Sequence, residues 1–404
     1  MDEKFRAFPE EISGLGRLVS EISSQTMKSY KYFNENAVPD AAEAGALLGT
    51  LVAPLEGMKD IWLGRHVHLA VNCGELGNNL NTAAWLYSDQ DQRNYEALNR
   101  HTHGLPVGMP GYDPGDANRA ATGSVDDYSD VVHYGRPEGI DYPAPATFPD
   151  DLAAAIADAA GWLGDIDNAI EHLIGHSPLQ ELVRPVGGNW NDLRRLGGAY
   201  RIAGEAMEHG GEALAGGTSR VDPKWNGLAA VAYKGYAAKQ VEAMKWEGAC
   251  GRVVEAVAER ASEEIRESAH ALVRTVREMV EKELDLTTGE KVAEFLVKKA
   301  GIAGITYQLY RVYDILRTGY ELAMTLYESI RTGIAALKEF LTIVASPSGY
   351  LNEQFEQKLA PVTKWLNRAD LAKDIFTTAD AGPMYHVPQD PYSLGTDKQP
   401  WADA

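Results

Sequence analysis

The chain has 404 residues, 45% of them hydrophobic and 24% charged, so it carries enough apolar material to bury a core. With 58 acidic against 38 basic residues the net charge is −20. That excess repels nucleic-acid phosphate and anionic lipid, which argues against a nucleic-acid partner or a polybasic membrane contact. Two cysteines, Cys73 and Cys250, cannot build a disulfide framework and have no zinc-type spacing. They read as small buried residues of separate helices, with a single bridge as the alternative. The acidic start MDEKFRAFPEE lacks a basic n-region and an apolar h-region, so no cleaved signal peptide is expected. No uninterrupted apolar run approaches the ~18 residues of a membrane span, and no integral membrane segment is expected.

In chain order, Ile12, Leu15, Leu18, Val19, Ile22, Thr26, Tyr30 and Phe33 step by three and four, which predicts an amphipathic helix over 12–33. Pro39-Asp40 opens a short helix through Leu47, Leu48, Leu51 and Val52, which Pro54 and Gly57 are expected to end or kink. Leu69, Cys73, Leu76, Leu80, Ala83 and Tyr87 then form a seam for lengthwise packing. Residues 101–149 read as a Gly/Pro-rich linker that divides the protein in two. Gly and Pro supply 14 of residues 101–150.

A second helical block starts near Pro149 with a stripe from Leu152 to Leu173. Asn189 is a plausible N-cap for a helix from Trp190 to Leu214, with Gly216-Gly217 closing it. Asp222-Pro223 is expected to open the next helix, which runs to about Leu284 with Gly248 and Gly251 as the expected kink. Residues 287–378 form a C-terminal helical region in which Tyr307, Tyr310, Tyr313, Tyr320 and Tyr327 mostly share a face, with a last helix near 350–376. Residues 379–404, with four prolines, read as a disordered tail. No strand pattern is found, and the fold class is all-α: two antiparallel helical-hairpin units, residues 1–100 and 150–286, plus additional C-terminal helices.

Neither a GxxxxGK[ST] loop nor a strand-led GxGxxG is present. His172 and His176 are i,i+4 but lack a third ligand, and the Glu-rich helical runs are interleaved with Arg and Lys as solvated faces. No catalytic residue, metal site or cofactor is expected, and the chain is not read as an enzyme.

Val221-Asp222-Pro223-Lys224-Trp225-Asn226-Gly227 places a W-x-G tripeptide between two long amphipathic helices. With Gly187-Gly188-Asn189-Trp190-Asn191-Asp192-Leu193 before it and Trp225-Asn226-Gly227-Leu228-Ala229-Ala230-Val231-Ala232-Tyr233 at the bend, this part resembles the W-x-G family of actinobacterial type VII (ESX) secretion substrates. The N-terminal part, with Leu76-Gly77-Asn78-Asn79-Leu80 and Tyr87-Ser88-Asp89-Gln90-Asp91, resembles the small ESX secretion-associated excreted-factor proteins. In that resemblance Tyr87 and Asp91 fit a Y-x-x-x-[DE] export signal, placed at or after a helix C-terminus, while Tyr87 also ends the seam. Tyr310 and Asp314 repeat the spacing inside the tyrosine-rich helix, where packing explains it. Trp62-Leu63-Gly64 is a second W-x-G triplet, expected at the N-terminal bend. Tyr236 is followed four residues later by Gln240, so the second unit lacks its own signal of this kind.

The resemblance implies a non-enzymatic substrate of a type VII system, secreted or at the cell surface without a cleaved signal peptide, and acting by protein–protein assembly. Its implied export-signal and partner-binding residues are Tyr87, Asp91, Trp225, Gly227, Trp62 and Gly64. Its implied partners are the type VII secretion ATPase and a small W-x-G protein or further copies of the chain. The alternative is a trafficking or chaperone-binding module of a type VII toxin system. A third reading, an enzyme built from the helices after 287, needs a pocket with convergent His, Asp or Glu.

Overall fold

The computed structural model describes residues 5–38, 45–101, 126–144 and 189–284, with parts of 161–183 and 314–392. Among these residues the fold is all-α, and the only pairing of extended backbone is an isolated antiparallel bridge between Ala7 and Trp225. Four long helices dominate: α1 (Pro9–Asn36), α2 (Gly45–His101), then, after the short α3 (Pro178–Val183), α4 (Trp190–Val221) and α5 (Leu228–Leu284). The short helices α6 (Ala372–Ala379) and α7 (Gly382–Tyr385) follow.

Residue pairs fix the directions. Along α1 and α2, Ser13 Oγ bonds Asn81 at 3.2 Å, Ser23 Oγ donates to the Ala70 carbonyl, and the Phe33 ring meets Trp62 at 5.3 Å. As numbers rise on one helix they fall on the other, so the pair is antiparallel. The same holds for α4 and α5, where Arg201 binds Glu255 and Thr218 bonds Tyr233. It holds for α1 and α4, where Ser29 Oγ donates to the Ala203 carbonyl and Arg195 to that of Asn36. Gln240 on α5 donates to the Leu69 carbonyl of α2, closing the ring of four. Every neighbour in the bundle is therefore antiparallel, and the two helix pairs share one body through α1 and α4.

In this arrangement α2 and α4 run parallel, so the chain between them must retrace the bundle's length. Residues 126–144 do so as irregular chain laid along α1. Near the start of α1, Val132 N donates to the Glu10 carbonyl and Tyr134 Oη to the Glu11 carboxylate. Further on, Gln25 bonds the Glu138 carbonyl and Tyr142 packs on Tyr32. Nineteen extended residues reach roughly 60 Å, ample for the ~42 Å of α1. This part of the expected linker thus joins the helix pairs rather than separating them.

Several expected breaks are absent. α2 is continuous through Pro54 and Gly57, because Leu51, Leu55 and Met58 are buried on both sides of Pro54 and offset its missing hydrogen bond. α4 is N-capped by Asn189, whose side chain accepts from Asp192 N at 3.1 Å, but it does not stop at Gly216-Gly217. It continues to Val221, and Gly217 is where α1 comes close: a Cβ there would lie 2.7 Å from Leu18 and 2.8 Å from Leu15. Asp222-Pro223 does not start α5. It forms one 3-10 turn, and the helix begins only at Leu228. Gly248 and Gly251 do not kink α5, because they admit α4, with a Cβ on Gly251 lying 2.4 Å from the Tyr200 carbonyl oxygen.

The stripe from Leu152 to Leu173 falls mostly outside the described residues, though positions within 163–172 are helical. In the C-terminal region Tyr320 is exposed and Tyr327 packs partly buried on the core, while Tyr307, Tyr310 and Tyr313 lie outside the described residues. The helix expected near 350–376 is interrupted by a 3-10 turn at Ala369–Leu371 before α6. The expected disordered tail also differs: Gly382–Tyr385 is helical, and Pro388 and Tyr392 are bonded to α2. Both cysteines are buried free thiols.

Candidate functional site

The bend between α4 and α5 is shaped residue by residue. Pro223 fixes the 3-10 turn, Trp225 is extended with φ −142° and ψ 118°, and Gly227 takes φ +95°, a region open to glycine and costly for other residues. The N-terminal segment folds over this bend. Trp225 bridges Ala7, Asn226 N donates to the Arg6 carbonyl at 3.0 Å, and Arg6 N donates to Asn226 Oδ1 at 2.7 Å. Phe5 covers Gly227, where a Cβ would meet its ring at 3.3 Å.

Beneath the bend, the Trp225 indole is buried and its Nε1–H donates to Tyr87 Oη at 3.2 Å across 138 residues of sequence. The two rings meet edge to face at 6.4 Å, a geometry favoured by the ring quadrupoles. Tyr233 packs on the indole at 5.4 Å and shares a 2.8 Å hydrogen bond with Thr218, while Phe5 adds a ring 6.0 Å from Tyr87. Burial raises the Tyr87 hydroxyl above its ordinary value, and the indole donor only partly counters that. The phenol therefore stays neutral and serves as an acceptor.

The structure thus brings Tyr87, Trp225 and Gly227 into one cluster at one end of the bundle. Tyr87 is only 4% exposed, so it is not displayed for direct contact. Asp91, one turn further along α2, is exposed. Nor does Tyr87 lie at a helix C-terminus, because α2 continues to His101. Exposed apolar side chains flank the cluster beside charged ones: Leu228 is 71% exposed, Val231 64% and Phe5 52%.

Trp62 and Gly64 do not belong to this cluster. They lie within the unbroken α2, and Trp62 is some 37 Å along the helix from Tyr87. Trp62 is a core residue packed between Phe33 and Tyr200, with ring centres at 5.3 and 4.8 Å. Gly64 faces open space. The second W-x-G triplet therefore marks no bend.

A polar group sits deeper in the bundle. Arg65 on α2 pairs with the wholly buried Glu247 on α5 and lies 5.2 Å over the Trp246 ring. Neighbouring His66 is wholly buried against Phe33 and Trp62, and its ring nitrogens find no hydrogen-bond partner among the described residues. Burial, aided by the Arg65 charge, pushes His66 down to about 3, and burial pushes Glu247 up against the pull of Arg65. Burial likewise pushes Cys73 up to about 12 and Cys250 well above the thiol range, so both are inert thiols. Among the described residues no group of three or more His, Cys, Asp or Glu is arranged to hold a metal ion. No described helix is long and apolar enough to cross a membrane.

The N-terminal segment at the bend and the charged pair in the core escape a reading from spacing. The core had one signal: Trp62, His66 and Leu69 extend the Leu69–Tyr87 seam backwards by steps of four and three, placing a histidine on it. Among the described residues, the class that fold and site define is an all-α bundle built on four long antiparallel helices with an aromatic cluster closing one end. No family model, curated protein or solved structure matches the chain.

Proposed function

We propose that this chain is a non-enzymatic substrate of a type VII secretion system, exported as a folded helical bundle and acting at the cell surface or outside through protein–protein assembly. One observation carries the reading. The tyrosine of the Y-x-x-x-D spacing and the tryptophan of the W-x-G tripeptide are joined by a hydrogen bond at one end of the bundle. In this reading Tyr87 positions α2 against the bend. Exposed Asp91, with Phe5, Leu228 and Val231, offers the surface that the secretion ATPase engages. Folding precedes recognition, because the two motifs meet only in the bundle.

The same exposed Leu228 and Val231, one turn apart beside Gly227, favour a second reading, a trafficking module held by a helper protein or a small W-x-G partner before export. Comparing culture filtrate with cytosol, in an actinobacterial host with and without the pathway ATPase, tests the first. ATPase-dependent appearance of the intact chain in the filtrate is expected. Equal filtrate levels in both strains overturn the proposal.

A further inference from the structure

The bend between α4 and α5 carries the only Asn-Gly step in the chain, Asn226-Gly227. Such a pair has a reactivity of its own. The side-chain amide carbon of an asparagine lies within reach of the next main-chain nitrogen. Glycine puts no side chain in the way and adopts the dihedral angles that the approach needs. Gly227 is exposed, at φ +95°, and among the described residues its N–H donates no hydrogen bond. It stands outside both helices, because the 3-10 turn ends at Lys224 and α5 begins at Leu228. The nitrogen is therefore not held in a helical ladder.

The N-terminal segment restrains the pair. Arg6 engages Asn226 twice: its N–H donates to Oδ1 at 2.7 Å, and its carbonyl accepts from Asn226 N at 3.0 Å. The first bond fixes the side-chain amide, and the second fixes the main chain on which that amide turns. The Phe5 ring covers one side of Gly227, where a Cβ would meet it at 3.3 Å. Ala7 bridges Trp225 just before the pair. Reaction requires these contacts to open.

We propose that Asn226-Gly227 is a modification site at which the asparagine converts spontaneously to aspartate and isoaspartate, and that the N-terminal segment sets the rate. Solvent base takes the Gly227 amide proton, and the nitrogen forms a bond to Asn226 Cγ. The Cγ–Nδ2 bond breaks, and Nδ2 leaves as ammonia. Water then opens the five-membered imide at either carbonyl. Opening at Cγ gives aspartate, and opening at the main-chain carbon gives isoaspartate. Nothing is oxidised or reduced, and water is the only co-reactant consumed. The two products act differently on the bend. Aspartate keeps an acceptor for the Arg6 N–H and, being charged, holds it more strongly. Isoaspartate lengthens the main chain between Trp225 and Gly227 by one carbon, about 1.5 Å, which shifts Gly227 from under Phe5. The site stands on its own contacts. Only the consequence for recognition, that isoaspartate deforms the export surface, rests on the proposed function.

The test ages purified full-length wild type, Arg6→Pro and Phe5→Ala in warm, mildly alkaline buffer, beside a synthetic peptide of residues 221–232. Mass spectrometry of digests locates the exchange of ammonia for water, and isoaspartyl methyltransferase labelling counts the isoaspartate. Wild type should be modified at Asn226 before any other described asparagine, with both products. It should react roughly thirtyfold more slowly than the peptide, the equivalent of the two hydrogen bonds to Arg6. Arg6→Pro deletes one of those bonds and should react about fivefold faster than wild type. Phe5→Ala, which uncovers the glycine, should move the rate in the same direction. No product at Asn226 in the wild type, over a course that carries the peptide through many half-lives, overturns the proposal. Equal rates in protein and peptide overturn it too, as do wild-type rates in both variants. The measurement is made on purified protein and is indifferent to export, so failure of the site and failure of the secretion reading are told apart.

Discussion

Protonation of His66 carries a calculable penalty. The ring is wholly buried between Phe33 and Trp62, next to Arg65, and is held down to about 3, against 6.5 in unfolded chain. The sign follows from proton counting. Between pH 6.5 and 3 the unfolded chain binds a proton at this residue and the folded chain does not. Acidification through that window therefore favours unfolding. Each pH unit costs about 1.4 kcal/mol, so His66 removes roughly 2 kcal/mol by pH 5 and nothing above pH 7. Glu247 acts in the opposite direction. Its folded value is raised, so it takes up a proton on folding and its contribution falls as pH rises through that value. A difference measurement separates the two. Urea unfolding of wild type and His66→Met at pH 7.5 and pH 5.0 should show the variant gaining about 2 kcal/mol on the wild type as the pH drops. At pH 7.5 the variant should be at least as stable as the wild type, because two unpaired ring nitrogens are removed from the core. A stability difference that is the same at both pH values would refute the burial argument.

Other consequences are sharper in sign than in size. Gly204→Ala places a Cβ 2.4 Å from the Glu247 carbonyl oxygen and should destabilise by about 1–3 kcal/mol, whereas Gly216→Ala meets open space and should stabilise by up to ~1 kcal/mol through helix propensity. Thermal melts of the pair check both, and equal shifts would contradict the α4–α5 contact. Tyr87→Phe removes one end of the hydrogen bond and should cost about 1 kcal/mol, Trp225→Phe removes the other end and part of a buried ring and should cost more, and the double variant should cost less than their sum. A denaturant-based mutant cycle reads that coupling, and strict additivity would mean that the bond is absent in solution.

Much of the helix content was legible because the seams are long and regular. The Asn189 cap and the stripe ending at Tyr87 are local patterns, and local patterns survive into the fold. What spacing could not supply was the use of individual glycines and prolines. Gly217, Gly248 and Gly251 look like stops or kinks by composition, yet they are points where another helix approaches, a property of the partner and not of the local chain. Pro54 looks like a break because local rules omit the buried Leu51, Leu55 and Met58 that outweigh it. At the candidate site, Tyr87 and Trp225 were each visible as motif residues, but their meeting depends on all four helices closing. Arg6 and Tyr392 carried no periodic signal, because they bind from non-helical chain through main-chain groups, and Phe5 binds from the same N-terminal segment through its ring.

The central claim is that the Y-x-x-x-D and W-x-G residues act as one recognition surface assembled by folding. It is tested most directly by the ratio of filtrate to cytosolic protein for Asp91→Ala, for Val231→Ser and for the two combined, each with a melting temperature within a few degrees of wild type. If the surface is read as a unit, each single variant lowers export nearly as far as the double. Wild-type export from either single variant, or losses that simply multiply in the double, would contradict it.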